Sequence, residues 1–281
     1  MAKIYKKIDI HLLLQNFFKS FPRLLGLCAR LMPMTLTGIS NGYKIKLDLR
    51  EYHQRSMYLN NYAPVQTDWV KQILKPGSTF IDIGANSGYF TLLAASLVKS
   101  SGQVLAFEPS PSPTNKIKKL TIPWVDAIQI GIGDIEEDLD LYLQPKSANL
   151  HSPSFVKGAK FAFEKLPQEE VVKVSIRKLD NLPYIQKLSR IDLVKIDTQG
   201  FEQNAIKGMV KTIKTGKIKY LMVIFCDRML SANGSSFDEL MSLIKGLGFK
   251  IHSKTSLQEI PSSADTASYS VQYFLFEYND Y

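Results

Sequence analysis

A short loop of small residues in the segment 79–91 has the clearest chemical pattern in this sequence. Gly84, Asn86 and Gly88 lie between a short apolar run and a series of apolar residues at helical spacing. Glycine adopts positive φ readily, and asparagine is one of the few other residues that does so. The pattern predicts a buried strand, a tight turn that brings the backbone close to a ligand, and a helix that begins at that ligand.

A second chemical signal is Glu108, which ends the predicted strand 103–108. A carboxylate about 20 residues beyond a glycine-rich turn is placed to accept hydrogen bonds from ribose hydroxyls. The dinucleotide fingerprint Gly-x-Gly-x-x-Gly admits a pyrophosphate, but here Asn86 takes the middle position and the last glycine comes early. The loop therefore favours a ligand without phosphates, such as S-adenosylmethionine, over a dinucleotide.

Three segments together resemble the signatures of the FkbM-type methyltransferases. They are Ile-Asp-Ile-Gly-Ala-Asn-Ser-Gly-Tyr-Phe-Thr at 81–91, Phe-Glu-Pro-Ser-Pro at 107–111 and Leu-Val-Lys-Ile-Asp-Thr-Gln-Gly-Phe-Glu at 193–202. The resemblance covers about residues 43 to 255. It implies an α/β class I methyltransferase fold, which is Rossmann-like, with a doubly wound, seven-stranded, mostly parallel sheet. It also implies transfer of a methyl group from S-adenosylmethionine, in many members of the family to a hydroxyl on a sugar or natural product.

The elements that must position these residues follow from the pattern of apolar runs and turn residues. Strands of the main sheet are predicted at 79–83, 103–108, 127–134, 191–197, 220–225, 249–252 and 271–278. The last two have no helix between them, which fits an antiparallel C-terminal hairpin. Prolines after Glu108 leave room only for a short helix, around 114–120. Further strands are predicted at 43–49, 138–143 and 171–176.

The predicted cofactor-binding residues combine the loop pattern with what the resemblance implies. They are Asp82, Gly84, Asn86, Gly88, Thr91, Glu108, Pro109, Gly133 and Asp134. In class I methyltransferases the turn after the third strand contacts adenine, so Asp134 is the candidate acceptor for the adenine amino group. The alternative for Asp134 is a solvated turn shared with Glu136 and Glu137.

Methyl transfer from a sulfonium needs a hydroxyl in line with the methyl group and a group that accepts its proton. Asp197, at the end of the predicted fourth strand, is the first candidate acceptor. His151, in a polar insertion between two strands, is the second. A magnesium ion held by Asp197 and Asp227 is an alternative, but no third ligand is evident, so no metal is assigned. The Asn/Asp-Pro-Pro-Tyr motif of amino-nitrogen methyltransferases is absent, which favours a hydroxyl acceptor.

Two regions are predicted along the chain. Residues 1–42 form a helical, basic and amphipathic N-terminal extension, and residues 43–281 form the methyltransferase domain with a hairpin and loop insertion at about 138–176. Within the extension, residues 8–32 have helical periodicity that Pro22 divides, and charged residues exclude a membrane-spanning run. Helices that cover an edge of the domain are the favoured interpretation. Peripheral contact with a membrane is the alternative.

Composition limits the partners and the compartment. The 281 residues have a net charge of +9, which favours acidic partners without saying anything about the fold. Cys28 and Cys226 are far apart and form neither a zinc pattern nor a disulfide framework, so a reducing, cytoplasmic setting is the default. The expected partner is a small-molecule or glycan acceptor, and the oligomeric state stays open.

Three other functions compete with methylation of a hydroxyl. A nucleic-acid methyltransferase would use the positive charge, but no RNA-binding motif or basic stripe is evident. A nicotinamide-dependent oxidoreductase is disfavoured by Asn86 in the loop. The third is a non-catalytic membrane-surface protein that retains a vestigial cofactor pocket.

Overall fold

A computed structural model describes residues 10–31, 35–143, 155, 170–253 and 271–279. Its N-terminal part contains α1 (Ile10–Ser20), α2 (Pro22–Leu31), β1 (Thr35–Ser40), β2 (Tyr43–Asp48), α3 (Tyr52–Tyr58) and α4 (Pro64–Ile73). The predicted break at Pro22 is present, because proline provides no N–H to continue α1 but suits the first position of α2. Asn41 and Gly42, both with positive φ, form the two-residue turn between β1 and β2. None of the described helices is long and apolar enough to cross a membrane.

Alternating strands and helices follow. They are β3 (Thr79–Ile83), α5 (Tyr89–Val98), β4 (Gln103–Phe107), α6 (Pro111–Lys118) and β5 (Val125–Ile128). The short helix expected after Glu108 is α6. It begins three residues earlier than predicted, because Pro111 and Pro113 fall within its first turn, where a missing N–H is tolerated.

The predicted third strand, 127–134, is wrong in its extent. β5 ends at Ile128, and the N–H of Ile130 bonds the carbonyl of Ile128 in a turn. The chain then enters a separate three-stranded sheet of β6 (Gly131–Ile132), β7 (Asp138–Leu143) and β8 (Glu170–Arg177), in the order β6-β8-β7. The alternating Ile-Gly pattern continues through this change of sheet and resembles a single strand.

The C-terminal half completes the main sheet. Its elements are α7 (Pro183–Gln186), β9 (Ile191–Ile196), α8 (Glu202–Lys207), α9 (Val210–Lys214), β10 (Ile218–Cys226), α10 (Asp227–Ala232), α11 (Phe237–Gly246), β11 (Phe249–Ile251) and β12 (Val271–Tyr278). Helix α11 begins with a capping box between Ser236 and Glu239, which satisfies backbone N–H groups at its start.

The seven strands of the main sheet lie in the order β11-β12-β10-β9-β3-β4-β5. Five strands are mutually parallel: β3, β4, β5, β9 and β10. β12 is antiparallel to both β10 and β11. This confirms the doubly wound, mostly parallel sheet with an antiparallel C-terminal hairpin. β3 and β9 are neighbours, and the chain turns in opposite directions from them, so their carboxyl ends flank the crevice where open α/β sheets bind ligands.

Alternate side chains of the strands enter two separate cores, one on each face of the sheet. Ile81 and Leu105 pack with helices of the C-terminal half, including α8, α9 and α11. Phe80 and Val104 pack with α4, α5 and the β1–β2 hairpin on the other face. Because both faces are covered, the central strands are buried throughout, and any polar side chain among them needs a partner.

Candidate functional site

The loop between β3 and α5 has the tight backbone that its glycines predict. Gly84, Asn86 and Gly88 have φ of 77°, 44° and 84°. A Cβ on Gly84 would lie 1.9 Å from the backbone oxygen of Asp197, and a Cβ on Gly88 would lie 2.9 Å from Ile117. Only glycine fits at Gly84, because a rigid carbonyl occupies the space. This close approach brings the loop after β3 against the end of β9.

Glu108 follows β4 and joins this loop to the start of α6. One carboxylate oxygen accepts the N–H of Asn86 at 2.8 Å, and the other accepts the N–H of Ser110 at 2.9 Å. Burial raises the pKa of Glu108, while the N–H groups of Ser110 and Asn86 and the Lys195 cation oppose that shift. Each carboxylate oxygen can accept a further hydrogen bond, so Glu108 is able to hold two hydroxyl groups of a ligand.

Beneath the loop, a buried ion pair joins β3 to β9. Asp82 and Lys195 are direct neighbours on the two parallel strands, and the Lys195 Nζ lies 3.0 Å from Asp82 Oδ1. The same ammonium donates to the carbonyl of Gly84 at 2.7 Å, and Thr91 Oγ1 donates to Asp82 Oδ2 at 2.7 Å. Burial disfavours the Lys195 cation, but the Asp82 and Asp197 carboxylates outweigh it and raise the pKa of Lys195. The pair therefore holds the loop from below.

Asp197 lies at the carboxyl end of β9, next to the loop. Its N–H bonds the carbonyl of Ile83, and its Oδ1 accepts the side-chain amide of Gln199 at 2.8 Å. The residue is half-buried. The turn that follows is tight: Gln199 and Gly200 have φ of 58° and 101°, and a Cβ on Gly200 would lie 2.3 Å from the backbone oxygen of Met229.

Glu202, the first residue of α8, fixes the shape of this turn. Its carboxylate accepts the N–H groups of Thr198 and Gly200 at 2.8 and 2.9 Å, and the Thr198 hydroxyl at 3.1 Å. The side chain is buried and has no ion pair among the described residues. Burial raises the pKa of Glu202 to about 7 despite these donors, and the nearby Asp197 carboxylate adds to the shift.

Tyr273 lies within electrostatic range of both Asp197 and Tyr62. Burial, then the Asp197 carboxylate and the Tyr62 phenol, raise the pKa of Tyr273 well above its ordinary value. The Tyr62 ring also packs edge-on against Tyr89 at 4.8 Å and lies 6.1 Å from Phe90, in the first turn of α5. Tyr62 thus belongs to the same wall of the crevice as the loop.

A cavity of about 350 Å³ opens beside this wall. Amide, hydroxyl and aromatic side chains dominate its lining, which consists of Asn41, Gly42, Asn60, Asn61, Tyr62, Pro64, Thr67, Asp68, Lys71 and Tyr89. The Asn41 amide donates to the carbonyl of Tyr89, and Thr67 shares a hydrogen bond with the Tyr89 hydroxyl at 2.9 Å. Such a lining suits a neutral ligand with several hydroxyl groups, since amides and hydroxyls both donate and accept.

Gly133 and Asp134 lie against β8 and the start of α8. A Cβ on Gly133 would meet Ile176 and Phe201, and Asp134 Oδ1 accepts the side-chain amide of Asn204 on α8. Because β5 ends at Ile128, the turn after the third strand of the sheet begins at Gln129. The adenine-contact role of Gly133 and Asp134 stays a prediction, and the strand boundary on which it was based is wrong. Pro109 is half-buried between Glu108 and Ser110.

Two further predictions concern His151 and a metal. His151 lies outside the described residues. Asp227 begins α10, where its Oδ1 accepts the N–H of Phe237. Over the described parts of the chain, no group of three or more His, Cys, Asp or Glu side chains is arranged to hold a metal ion.

Sequence reasoning missed the roles of Lys195 and Glu202. Lys195 interrupts the apolar run 191–196, and Asp82 interrupts the apolar run of β3. Because a fully buried strand tolerates a cation only opposite a carboxylate, these two interruptions were a usable signal that the residues pair. Glu202 looked like an ordinary residue of a helix start, where carboxylates are common. Its turn-organising role depends on the positive φ of Gln199 and Gly200, which the sequence does not reveal.

The site fits S-adenosylmethionine. The loop of Gly84, Asn86 and Gly88 brings backbone close to the crevice, and Glu108 offers acceptors at the end of the neighbouring strand. The side chains of Asp82 and Thr91 are buried and bonded to each other and to Lys195, so they support the loop from beneath. Asn86 and Asp197 are half-buried and Glu108 keeps 6% exposure, so these three residues are the candidates for contact with the ligand.

Comparison with known proteins agrees with this arrangement. The family model described as Methyltransferase FkbM domain matches residues 82–251. A protein of Beauveria bassiana (strain ARSEF 2860) called Methyltransferase 1 is 28% identical over 179 residues, which is 55% of this chain and 72% of that protein. The AMB antimetabolite synthetase AmbE of Pseudomonas aeruginosa is 24% identical over 210 residues, 64% of this chain but only 10% of the synthetase.

The solved structures to which this chain is similar are more distant in sequence. The Methanococcus jannaschii fibrillarin pre-rRNA processing protein is 13% identical, with a TM-score of 0.46 over 88% of this chain and 89% of that chain. An rRNA methylase from Streptococcus thermophilus is 12% identical, with a TM-score of 0.43 over 76% of this chain and 95% of that chain. The fold of this chain therefore rests on its own strand order.

Proposed function

Because the chain belongs to the FkbM methyltransferase family, we propose that it transfers the methyl group of S-adenosylmethionine to a hydroxyl group of a sugar, glycan or small natural product, with Asp197 as the proton acceptor. The observation that carries this proposal is the contact between Gly84 and Asp197. The backbone oxygen of Asp197 fills the space where a Cβ of Gly84 would lie. This contact fixes the backbone of Asp197, the residue that follows β9, directly beside the loop proposed to receive the cofactor.

S-adenosylmethionine supplies a methyl group that its sulfonium already activates. The protein therefore needs to position the acceptor hydroxyl and to take its proton. Glu108 holds ribose hydroxyls on one side of the loop. Asp197, half-buried and oriented by the Gln199 amide, receives the proton at a carboxylate oxygen on the other side.

A hydroxyl acceptor is supported by the cavity beside Tyr62 and Tyr89. Its amide and hydroxyl lining can hydrogen-bond a polyhydroxylated acceptor, and the two aromatic rings offer apolar faces to it. A nucleic acid is disfavoured, because the lining contains Lys71 as its single cation and also the carboxylate of Asp68. The cytoplasmic setting stays a prediction from the two isolated cysteines.

The experiment that tests this proposal compares the wild type with Asp197→Asn. The change keeps the shape of the side chain and removes its basicity. Purified protein is incubated with methyl-labelled S-adenosylmethionine and with glycan and small-molecule extracts, and methylated products are identified by mass spectrometry. With the extract that yields a methylated product, we expect the methylation rate of the variant to be roughly 10²–10⁴-fold lower than that of the wild type. The affinity for the cofactor should change much less.

Two controls separate catalysis from folding. Thermal unfolding shows whether Asp197→Asn is as stable as the wild type, and calorimetry with S-adenosylhomocysteine shows whether the cofactor site is intact. A variant that is stable, binds this cofactor product and still methylates the acceptor at close to the original rate contradicts the role of Asp197. Activity restored by added magnesium would assign Asp197 to a metal instead.

A further inference from the structure

The N-terminal helices expose a stripe of large apolar side chains. The exposed fractions of Leu14, Phe17, Phe21 and Leu24 are 41%, 49%, 53% and 42%. Their spacing of three, four and three residues places them on one face of a helix. Exposed large apolar residues elsewhere in the described chain are Val171 and Ile251, which are isolated from each other. We call Leu14, Phe17, Phe21 and Leu24 the apolar stripe.

The stripe is continuous across the break between α1 and α2. The N–H of Phe21 bonds the carbonyl of Phe18, and the N–H of Leu25 bonds the carbonyl of Phe21, so the helical path continues past Pro22. The rings of Phe17 and Phe21 lie 5.2 Å apart. The four side chains therefore form one surface across both helices, not one patch on each helix.

Other side chains of the same helices are already packed against the protein. Gln15 and Leu25 are fully buried, and the Gln15 amide donates to the carbonyl of Tyr58. The ring of Phe18 lies 6.5 Å from the ring of Tyr58. These buried side chains make the contact with the domain, and the exposed apolar stripe lies outside that contact. It needs a partner outside the described chain.

Charge around the stripe indicates which partner. The sequence has no Asp or Glu between Asp9 and Asp48. Lys19 and Arg23, both exposed, lie on the polar side of the same two helices, and the whole chain has a net charge of +9. A second copy of this chain would bring an equally basic surface to the contact. An apolar stripe on helices that carry cations on their polar side and no acids suits the interfacial region of an anionic bilayer.

We propose that the apolar stripe of α1 and α2, together with Lys19 and Arg23, binds peripherally to a membrane that contains anionic lipids. The apolar side chains enter the boundary between head groups and acyl chains, and the two cations lie among the anionic head groups. This inference is independent of the proposed methyl transfer, because its evidence lies in residues 14–25 and not in the site. It also gives the N-terminal helices a second role besides covering the domain.

Vesicle sedimentation with the full chain tests the proposal. Vesicles of phosphatidylcholine alone are compared with vesicles of phosphatidylcholine and phosphatidylglycerol. We expect the wild type to sediment with the anionic vesicles and to be released by raised salt. The double variant Phe17→Ser/Phe21→Ser should bind at least about tenfold more weakly, because two buried apolar side chains are lost. Lys19→Gln/Arg23→Gln should bind at least about fivefold more weakly.

The matched control is Val171→Ser/Ile251→Ser, which removes two exposed apolar side chains elsewhere on the surface. It should bind like the wild type. Thermal unfolding of each variant shows that the fold is kept, as expected for exposed positions. The proposal is overturned if the wild type stays in solution with both kinds of vesicle, or if the control loses as much binding as the stripe variant. A dimer seen by sedimentation equilibrium that Phe17→Ser/Phe21→Ser dissociates would assign the stripe to a second copy instead.

Discussion

Two turns meet at the crevice, and they are held by different chemistry. The loop after β3 rests on the buried Asp82–Lys195 pair, in which each charge has an opposite partner at 3.0 Å. The turn after β9 rests on Glu202, a buried carboxyl that bonds the N–H groups of Thr198 and Gly200 and has no cation beside it among the described residues. One turn is therefore supported by a charged pair and the other by a single carboxyl.

The two turns should respond differently to pH, because their supporting groups change charge at different pH values. The Asp82 and Asp197 carboxylates raise the pKa of Lys195, so the cation beneath the loop persists through neutral pH. Burial raises the pKa of Glu202 to about 7, so the support of the second turn changes its charge near neutrality. The Asp82–Lys195 support of the first turn should therefore keep its charges in this range. The side that carries Asp197 should be sensitive to pH.

Breaking the charged pair should have the largest effect. Lys195→Met leaves Asp82 as an unpaired buried carboxylate and removes the donor to Gly84. We expect the free energy of unfolding to fall by roughly 3–5 kcal/mol, measured by urea denaturation. The double variant Asp82→Leu/Lys195→Met should be more stable than Lys195→Met alone, because the orphaned charge is gone.

The exposed pair Lys173–Asp140 is the matched control for this experiment. Its charges lie 3.6 Å apart, but the side chains are 78% and 47% exposed. Lys173→Met should change stability by no more than about 1 kcal/mol. The single variant Asp82→Leu completes the comparison. If the losses of stability in Asp82→Leu and Lys195→Met simply add in the double variant, the two side chains are not coupled and our account of the loop is wrong.

The second prediction concerns pH and Glu202. The ordinary pKa of a glutamate is 4.5, and the folded protein raises that of Glu202 to about 7. The fold thus favours the neutral carboxyl. Its contribution is fully present below pH 4.5 and is lost as the pH rises to about 7, a change on the order of 3 kcal/mol. The stability of the wild type relative to Glu202→Gln should therefore decline between pH 5 and pH 8, measured by denaturation at each pH.

Glu239 is a useful comparison, since it also accepts a backbone N–H at a helix start but is exposed. The stability of the wild type relative to Glu239→Gln should not change in the same direction between pH 5 and pH 8. A flat profile for Glu202→Gln relative to the wild type would show that this carboxyl does not change its charge near neutrality. The contrast between the two turns would then be lost.

The sequence was sufficient for the elements that repeat a strong pattern. The strand, loop and helix around Gly84, the carboxylate Glu108 after β4 and Asp197 at the end of β9 all lie where the sequence predicts. These positions follow from local rules, since buried strands are apolar and their carboxyl ends meet at one edge of a sheet. The order of the sheet followed from the resemblance to a known family.

The sequence failed where the structure depends on distant contacts. The switch from β5 to β6 was missed because the alternation of apolar residues continues through Ile130 into a second sheet. The β1 strand was missed because its partner, β2, carries most of the apolar signal. The role of Lys195 required the register that pairs it with Asp82, a position 113 residues away along the chain.

The measurement that tests the central claim most directly is calorimetry of S-adenosylmethionine binding to the wild type and to Glu108→Ala. Glu108 stands at the loop that should receive the cofactor, and a charged hydrogen bond to each ribose hydroxyl contributes roughly 1.5–3 kcal/mol. Glu136→Ala, which removes a carboxylate that bonds the N–H of Lys178 away from the crevice, is the control. We expect the wild type and Glu136→Ala to bind with equal affinity, and Glu108→Ala to bind at least about tenfold more weakly while unfolding as cooperatively as the wild type. Equal affinity in all three proteins would contradict the assignment of this loop as the cofactor site.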